Sequence, residues 1–220
     1  MSRQTTQNKI LDAAERLFAE RGFADTSLRL ITSEADVNLA SVNYHFGSKK
    51  ALIKAVLARY LEQFMPRLSD ALDELLQSQQ QPTLHQVFDS FVEPMLALNN
   101  FRASGTNIFM QLLGRGYSDS QGHLRWFLTT QYGDVLTKIT AAVKRANPEL
   151  SPSEFFWRMH FTLGTVVFTL ASNEALRDIA RSEFNENLDV EGLVRRLVPF
   201  LAAGVGAPVS TISLNNGVKK

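Results

Sequence analysis

The sequence predicts an all-α protein with a small three-helix head, residues 1–48, and a larger helical body, residues 49–204. Apolar residues recur along most of the chain at the three- and four-residue spacing of amphipathic helices, and no convincing period-two strand is found. Capping-box spacings at Thr83 and Gln86, and at Ser151 and Glu154, mark two helix starts. A composition of 45% hydrophobic and 20% charged residues is typical of a globular protein with a substantial core.

The head contains three predicted helices. The first covers about residues 6–21 and ends at Gly22, because glycine takes the left-handed C-cap conformation without steric cost. Thr26 or Ser27 can cap a short second helix, residues 28–35. A tight connection at residues 36–38 leads to a third helix, residues 39–46, which ends at Gly47.

The body begins with a long fourth helix, capped by Ser48 and starting at Lys49. It contains Pro66, a candidate kink, and fades into the polar run 77–81. Further helices are predicted near 83–98, 104–113, 121–147, 152–178 and 189–203. The tail, residues 205–220, is rich in Gly, Ser and Asn, and we expect it to be disordered.

Bulk properties narrow the class of protein. The chain has no cysteine, which excludes disulfides and thiolate metal sites and fits a reducing cytoplasm, where we expect the protein. Its first residues do not resemble a signal peptide, and no apolar run is long enough to predict a membrane span. The net charge of +1 is unevenly divided, since residues 1–60 hold nine Lys and Arg against six Asp and Glu. This asymmetry mildly favours an anionic partner at the head.

Two short helices joined by a tight turn behind a supporting helix form a helix-turn-helix pattern. At about 100° per residue, Leu39, Val42 and Phe46 of the third helix fall on one buried stripe. The opposite face and its flanks carry Ala40, Ser41, Asn43, Tyr44 and His45. Small residues permit close approach to DNA, and hydroxyl, amide, phenol and imidazole groups can hydrogen-bond base edges and phosphates.

The flanks of this helix suggest phosphate contacts. Lys49 and Lys50 open the fourth helix, where a cation opposes the helix dipole unless an anion lies nearby. Arg29, with Thr26 and Ser27 at the start of the second helix, could hold another phosphate with the help of free backbone amides.

Plainer interpretations stand beside these. His45 alone would be an ordinary surface histidine, and the pair Lys49 and Lys50 a solvated surface. Asn43 could instead hydrogen-bond within the head and set its shape.

The residues from the first helix to the start of the fourth resemble the TetR family of repressors. The resemblance covers about residues 7–60 and rests on the runs Ile10 to Ala14, Leu17-Phe18, Gly22-Phe23, Thr26-Ser27, Ile31, Ala35, Val37 and Val42 to Lys49. A tyrosine usually occupies the position of Asn43 in the family. Residues 16–50 are most similar to the PsrA-type regulators, which respond to long-chain fatty acids.

The resemblance implies DNA contacts for specific side chains. It implies phosphate contacts from Thr26, Tyr44 and Lys49, and base or mixed contacts from Ser41, Asn43 and His45. Further contacts are implied for Arg29, Asn38, Ala40 and Lys50. Leu39 departs from the polar or basic residue common in relatives, so no base contact is expected there.

Aromatic and methionine side chains of the body are candidates for a ligand pocket. The set is Phe88, Phe91, Met95, Phe109, Met110, Leu113, Trp126, Phe127, Trp157, His160 and Phe161. Together they could line a tunnel for an apolar ligand, although each by itself would fit an ordinary core. Gln111, Arg115, Arg125 and His160 are candidates for a polar end, and the resemblance suggests a long-chain fatty acid or acyl-CoA as effector.

The last two helices carry more apolar surface than the body needs, which predicts a dimer interface. The candidate residues are Leu163, Gly164, Val167, Ala171, Leu193, Leu197 and Phe200. The resemblance implies a four-helix bundle between two copies. A twofold dimer would place its recognition helices one turn of DNA apart, about 34–36 Å.

These observations predict a homodimeric repressor that binds palindromic double-stranded operator DNA and is released by a small apolar effector. We predict neither an enzyme nor a bound cofactor or metal, since the four histidines lack metal-ligand spacing and no nucleophile–base pattern is visible. Two alternatives remain: an acyl-chain-binding carrier or enzyme with the head as an appendage, and a DNA-binding regulator controlled by a partner protein or by abundance.

Overall fold

The computed structural model describes residues 5–118 and 123–208, except for the side chains of residues 117, 118 and 123–126. Every regular element in these ranges is a helix, which confirms the all-α prediction. In chain order the helices are α1 (Thr6–Asp25), α2 (Leu28–Glu34), α3 (Leu39–Phe46), α4 (Lys49–Ser78), α5 (Leu84–Asp89), α6 (Val92–Leu96), α7 (Leu98–Phe101), α8 (Gly105–Ser118), α9 (His123–Gln131), α10 (Gly133–Ala146), α11 (Pro152–Ala171), α12 (Asn173–Phe184) and α13 (Val190–Gly206).

Helices α1, α2 and α3 pack against one another and form the head. Its core is apolar, with Ile10 and Phe18 of α1, Ile31 of α2 and Val42 of α3 all fully buried. Gly22 has a φ of 86° inside α1, a conformation that glycine adopts readily and other residues rarely do. The predicted end of the first helix at Gly22 is therefore a kink, after which the helix resumes to Asp25.

Helix α4 belongs to both parts of the chain. It is 30 residues long and continues through Pro66. It contacts α1 and α3 of the head, and also α8 and α10 of the body. Only Gly47 and Ser48 separate it from α3, so α4 continues almost directly from the last helix of the head.

Several predicted helices are divided. The predicted segment 83–98 forms α5 and α6, and the break precedes Pro94, which lacks the N–H that would bond back across the junction. The segments 121–147 and 152–178 are broken at Tyr132 and Ser172. At the other end, α13 extends to Gly206, so the prediction of a disordered tail is wrong for residues 205 and 206. Residues 209–220 lie outside the described part of the chain.

Within the described ranges, no helix has the combination of length and apolar character that crossing a bilayer requires.

Helices α8 and α11 make one of the most extensive contacts of the body, and they approach closely at Gly114. A Cβ atom at Gly114 would lie 2.7 Å from Cγ1 of Val167, well inside van der Waals contact. Val167, which was predicted to lie at a dimer interface, is therefore engaged inside the body at this point.

Replacing Gly114 by valine is expected to destabilise the protein by about 1–3 kcal/mol, because the branched side chain forces apart two packed helices. The measurement is thermal unfolding at fixed protein concentration. Gly133→Ala is the matched control, since nothing lies within 4 Å of a Cβ at Gly133. A Gly114→Val protein as stable as the control would mean that α8 and α11 do not pack this closely.

Candidate DNA-binding surface and apolar cavity

The connection between α2 and α3 is a tight turn fixed by backbone hydrogen bonds. The N–H of Ala35 donates to the carbonyl of Ile31 at 2.9 Å, and that of Val37 donates to the carbonyl of Thr32 at 3.0 Å. Asp36 lies between them in the left-handed region, with a φ of 52°. The predicted helix-turn-helix is thus present in the head, with α3 as its second helix.

Side-chain caps fix the start of each helix around this turn. Ser27, Asn38 and Ser48 accept hydrogen bonds from the backbone N–H groups of Leu30, Ser41 and Ala51. Oδ1 of Asn38 also accepts a hydrogen bond from the Ser41 hydroxyl at 2.9 Å. A cap of this kind is worth about 1 kcal/mol. Asn38 and Ser41, both predicted to contact DNA, therefore bond to each other at the start of α3.

The outer face of α3 is polar and accessible. Ala40, Asn43, Tyr44 and His45 are exposed, and Tyr44 is 86% exposed. The rings of Tyr44 and His45 meet edge to face with centroids 5.1 Å apart. The amide, phenol and imidazole groups of this face can all hydrogen-bond to a partner, so the face is suited to a polar binding surface.

Two sequence predictions about the head are wrong. Leu39 was expected in the buried stripe with Val42 but is 40% exposed, because it occupies the first, outermost position of α3. Thr26 was expected to contact phosphate, but its side chain is fully buried and donates hydrogen bonds to the carbonyls of Gly22 at 2.8 Å and Leu17 at 3.1 Å. Thr26 instead closes the α1 kink, a role its capping-type sequence context does not reveal.

The basic side chains near α3 differ in their exposure to solvent. Arg29 and Lys50 are exposed, as a phosphate contact requires. Lys49 is half-buried, and its Nζ donates to the carbonyl of Ala24 at 3.4 Å. Lys49 thereby ties the start of α4 to the end of α1 while its ammonium group stays near the same surface.

The body contains a partly open apolar cavity of about 250 Å³. Its walls come from α4, α5, α6, α8, α9, α10, α11 and α13. Thr162 has the one polar side chain among the lining residues that the structure describes. The cavity is therefore suited to an uncharged, mainly apolar molecule, with one hydroxyl available to orient it.

The predicted pocket residues fall into two groups. Phe88, Phe91, Met95, Phe109, Met110 and Leu113 line this cavity. Its described lining does not include Phe127, Trp157, His160 and Phe161. Trp157 and Phe161 lie on the outer face of α11, 53% and 64% exposed, and Phe127 packs against Tyr132 instead. The side chains of Trp126 and Arg125 lie outside the described residues.

Sequence reasoning missed the share of the lining that comes from α4 and from the inner face of α11. Leu61, Phe64 and Met65 of α4 line the cavity, with Thr162 and Val166 of α11. A signal was available in α11, because Met159, Leu163, Val166 and Leu170 recur at helical spacing. The same helix has a second apolar stripe, which contains Trp157, Phe161 and Phe168. The sequence does not indicate which of the two stripes faces the core.

The candidate polar end of the pocket is not found at the cavity. Arg115 packs its side chain against Gly22 in the head, with its Cδ 3.5 Å from the Cβ position there. His160 is exposed, and its Nδ1 lies 2.6 Å from the carbonyl oxygen of Phe156. Neither residue lines the cavity, nor does Gln111.

The predicted dimer residues include some that are packed within the chain and others that are exposed. Leu163 and Leu197 line the cavity and Leu193 is buried, so these three side chains pack mainly within the single chain. Gly164 and Phe200 are exposed, and Ala171 is half-buried. The described exposed apolar side chains of α11, α12 and α13 include Phe156, Trp157, Phe161, Phe168, Ile179, Phe184 and Phe200.

Four charged side chains join the head to the body; we call them the head–body ion cluster. Arg59 of α4 donates to Asp12 at 2.8 Å and to Glu15 at 3.2 Å, both on α1. Arg102, directly after α7, donates to Asp12 at 2.7 Å and pairs through Nε with Glu15. The two arginines thus hold the same two carboxylates from different helices.

Burial and charge act in opposite directions on these carboxylates. Burial raises the pKa of Asp12, but hydrogen bonds and charges from Arg59 and Arg102 hold it below its usual value. For Glu15 burial prevails over Arg102 and Arg59, and its pKa is raised. Burial and the charge of Glu15 also raise the pKa of Tyr60, whose hydroxyl is buried without a hydrogen-bond partner among the described residues. Glu15 is therefore the charge in the cluster that is most costly to bury.

Comparisons with known proteins agree with this arrangement. The sequence profile described as "Bacterial regulatory proteins, tetR family" matches residues 10–56. The profile described as "Tetracyclin repressor-like, C-terminal domain" matches residues 89–204, which is more than half of the chain.

Individual relatives are similar over shorter stretches. The chain is 36% identical over 86 residues to the probable HTH-type transcriptional regulator YttP of Bacillus subtilis, covering 39% of this chain and 42% of YttP. It is 32% identical over 94 residues to the nicotine-responsive transcriptional repressor HdnoR of Paenarthrobacter nicotinovorans, covering 41% of this chain and 46% of HdnoR. The chain thus spans less than half the length of these two relatives.

Among solved structures, a TetR-like transcriptional regulator from Rhodococcus sp. RHA1 has the same fold. The two chains superpose with a TM-score of 0.59 at 17% sequence identity, over 94% of this chain and 100% of the other.

Proposed function

We propose that this chain, which belongs to the TetR family of bacterial transcriptional regulators, is a homodimeric repressor released from its operator by an uncharged apolar effector. The observation that carries the proposal is the position of α4. It starts immediately after α3, and further along its Leu61, Phe64 and Met65 form part of the cavity wall. One rigid helix therefore meets both the DNA-facing element and the effector.

The DNA-binding part of the proposal rests on the exposed face of α3. Asn43, Tyr44 and His45 would enter the major groove, where amide and imidazole groups can read base edges. Ser27, Arg29 and Lys50 would contact phosphates beside it. Asn38 and Ser41 fix the start of α3 and would add contacts to the DNA backbone. Ala40 is small enough for the helix to approach the DNA closely.

Dimerisation would use the outer faces of α11 and its neighbours. Trp157, Phe161, Gly164 and Phe168 recur at four-, three- and four-residue intervals, which places them on one stripe of α11. These aromatic rings are more than half exposed in the single chain. Contiguous apolar surface of this kind marks a protein–protein interface, and a second copy would bury it.

The cavity favours a neutral effector. Its described lining has no charged side chain to neutralise a carboxylate, and burying an unpaired charge is costly. A long-chain fatty acid or acyl-CoA would have to keep its charged group outside the cavity. The relative named as a nicotine-responsive repressor supports regulation by a small molecule, without indicating which one binds here.

Both alternatives are less well supported. An acyl-chain-binding enzyme needs an acid, a base or a nucleophile at its cavity, and the described lining offers the Thr162 hydroxyl. A regulator without effector needs no cavity, whereas about 250 Å³ of apolar space is present.

The test is fluorescence-anisotropy binding to an operator selected from random duplex DNA. The effectors are naphthalene and 1-naphthol as neutral probes, and oleate and oleoyl-CoA as charged lipids. Release by the neutral probes alone would support the proposal in full. Release by the lipids alone would support a fatty-acid-responsive repressor and contradict the neutral class. No selected operator would contradict the DNA-binding function itself.

Replacing Lys50 by alanine is expected to reduce the slope of log affinity against log salt by about one, because one phosphate contact is lost. The affinity should fall by a similar factor for all DNA sequences. Lys144→Ala is the matched control, since Lys144 is exposed on α10 in the body. An unchanged slope in Lys50→Ala would remove Lys50 from the interface.

A further inference from the structure

The head–body ion cluster is built from three separate parts of the chain. Asp12 and Glu15 belong to α1 in the head, Arg59 to α4, and Arg102 to the body. Up to 90 residues of sequence separate its members. The cluster is therefore a joint between the DNA-binding head and the ligand-binding body, distinct from the covalent link through α4.

Stability alone does not explain such a joint. Taking charges out of water costs several kcal/mol per ion, and replacing a buried ion pair by apolar residues is often neutral or stabilising. The Glu15 side chain is only 3% exposed. In such a joint the free-energy cost of burying the charges nearly cancels the gain from pairing them, so a small displacement can change the balance. Close apolar packing, by contrast, resists displacement.

A single aromatic side chain connects this joint to the cavity. The ring of Tyr60 stacks on Phe109 with centroids 5.8 Å apart and planes 13° from parallel. Phe109 lines the cavity and also packs against Phe64, another lining residue, with ring centroids 5.7 Å apart. At its other end, the hydroxyl of Tyr60 is buried and has no hydrogen-bond partner among the described residues, and it lies near enough to Glu15 to be acted on by that charge.

A second contact couples α8 of the body to α1 of the head. Phe109 belongs to α8, and Arg115 on that helix packs against Gly22 at the α1 kink. Tyr60 also meets the ring of Phe101, edge to face at 5.6 Å, directly before Arg102. A shift of α8 at the cavity wall therefore reaches α1 at two places.

We propose that Tyr60 is the positioning residue that couples occupancy of the cavity to the head, by moving against Glu15 in the head–body ion cluster. This inference rests on the proposed function, because it assumes that a ligand enters the cavity. A ligand that displaces the Phe109 ring shifts Tyr60, weakens the pairing of Glu15 with Arg102 and frees α1 to follow α4. The coupling requires only that the ligand prefers the shifted arrangement.

The test compares wild type with Tyr60→Phe, which keeps the stacked ring and removes the hydroxyl. Naphthalene is the probe, and its binding is measured by calorimetry. Hydrogen exchange of the α1 amides is then measured with and without saturating naphthalene, which requires no DNA. In parallel, the factor by which naphthalene weakens binding to a selected operator is measured. Tyr132→Phe removes the hydroxyl of a half-buried tyrosine of the body and is the control.

We expect Tyr60→Phe to bind naphthalene and operator DNA separately within about threefold of wild type. The factor by which naphthalene weakens operator binding, about five- to 150-fold for typical allosteric coupling, should fall at least about threefold. The effect of naphthalene on α1 exchange should fall with it, and Tyr132→Phe should behave as wild type. Glu15→Gln, which removes the charge with little change of shape, should lower the coupling in the same way.

Tyr60→Phe with wild-type coupling and wild-type α1 exchange would overturn the inference and leave the proposed function intact. Naphthalene that releases wild-type protein from DNA without altering α1 exchange would also overturn it. Wild-type protein that binds neither naphthalene nor 1-naphthol would overturn the effector part of the proposed function together with the inference.

Discussion

Replacing Asn43 and Tyr44 together by alanine is expected to lower operator affinity by about 30- to 10⁴-fold. Both side chains lie on the exposed face of α3. A well-placed base contact from Asn43 is worth about 1–3 kcal/mol, and a Tyr44 hydrogen bond to phosphate about 1.5–3 kcal/mol. A difference of about 1.4 kcal/mol corresponds to a factor of ten. The fold should be unaffected, because truncating exposed side chains away from caps and core changes stability by about 0.5 kcal/mol or less. The measurement is anisotropy binding to the selected operator and to a scrambled duplex.

A matched control is the pair Gln79→Ala and Gln80→Ala, exposed at the far end of α4. The double substitution on α3 should lose affinity for the operator more than for the scrambled duplex, since base contacts carry the specificity. An equal loss on both duplexes would assign these side chains to phosphates. No loss on either duplex would mean that α3 is not the recognition helix.

The head could be predicted closely because its signals are local. The predicted bounds of the third helix agree with α3, and Ser48 caps α4 as expected. Capping, glycine and apolar spacing act within a few residues, so a sequence displays them directly. Thr26 was the exception, because its two carbonyl partners lie across the α1 kink and depend on how that kink closes.

The body could be predicted only in class, because its features depend on which helix faces are opposed. Helix α11 has two apolar stripes, and the structure turns Met159 and Val166 toward the cavity and Trp157 and Phe161 away from it. On this helix, composition favoured the larger aromatic rings as pocket residues, whereas the aliphatic and methionine side chains line the cavity. The head–body ion cluster was not predicted at all, since Glu15 and Arg102 carry no sign of their pairing in the sequence.

The cavity prediction can be tested by filling the space. Replacing Val166, a lining residue of α11, by tryptophan puts a bicyclic indole where an isopropyl group was. An apolar cavity of about 150 Å³ is enough to hold a single aromatic ring, so an indole should leave too little of this cavity for naphthalene. We expect naphthalene affinity to fall at least about 100-fold, or about 2.7 kcal/mol.

Because α3 lies outside the cavity, Val166→Trp should keep operator affinity within about threefold of wild type, and no effector should release it. Val166→Trp should therefore lose effector binding and keep DNA binding, whereas the Asn43 and Tyr44 double variant should lose DNA binding. Together the two variants separate effector binding from DNA binding. Ser153→Trp, exposed at the start of α11, controls for the added indole. If the Val166→Trp protein were still released at the wild-type effector concentration, the effector would have to bind elsewhere. Persistent operator binding would instead identify the cavity between α4, α8 and α11 as the regulatory site.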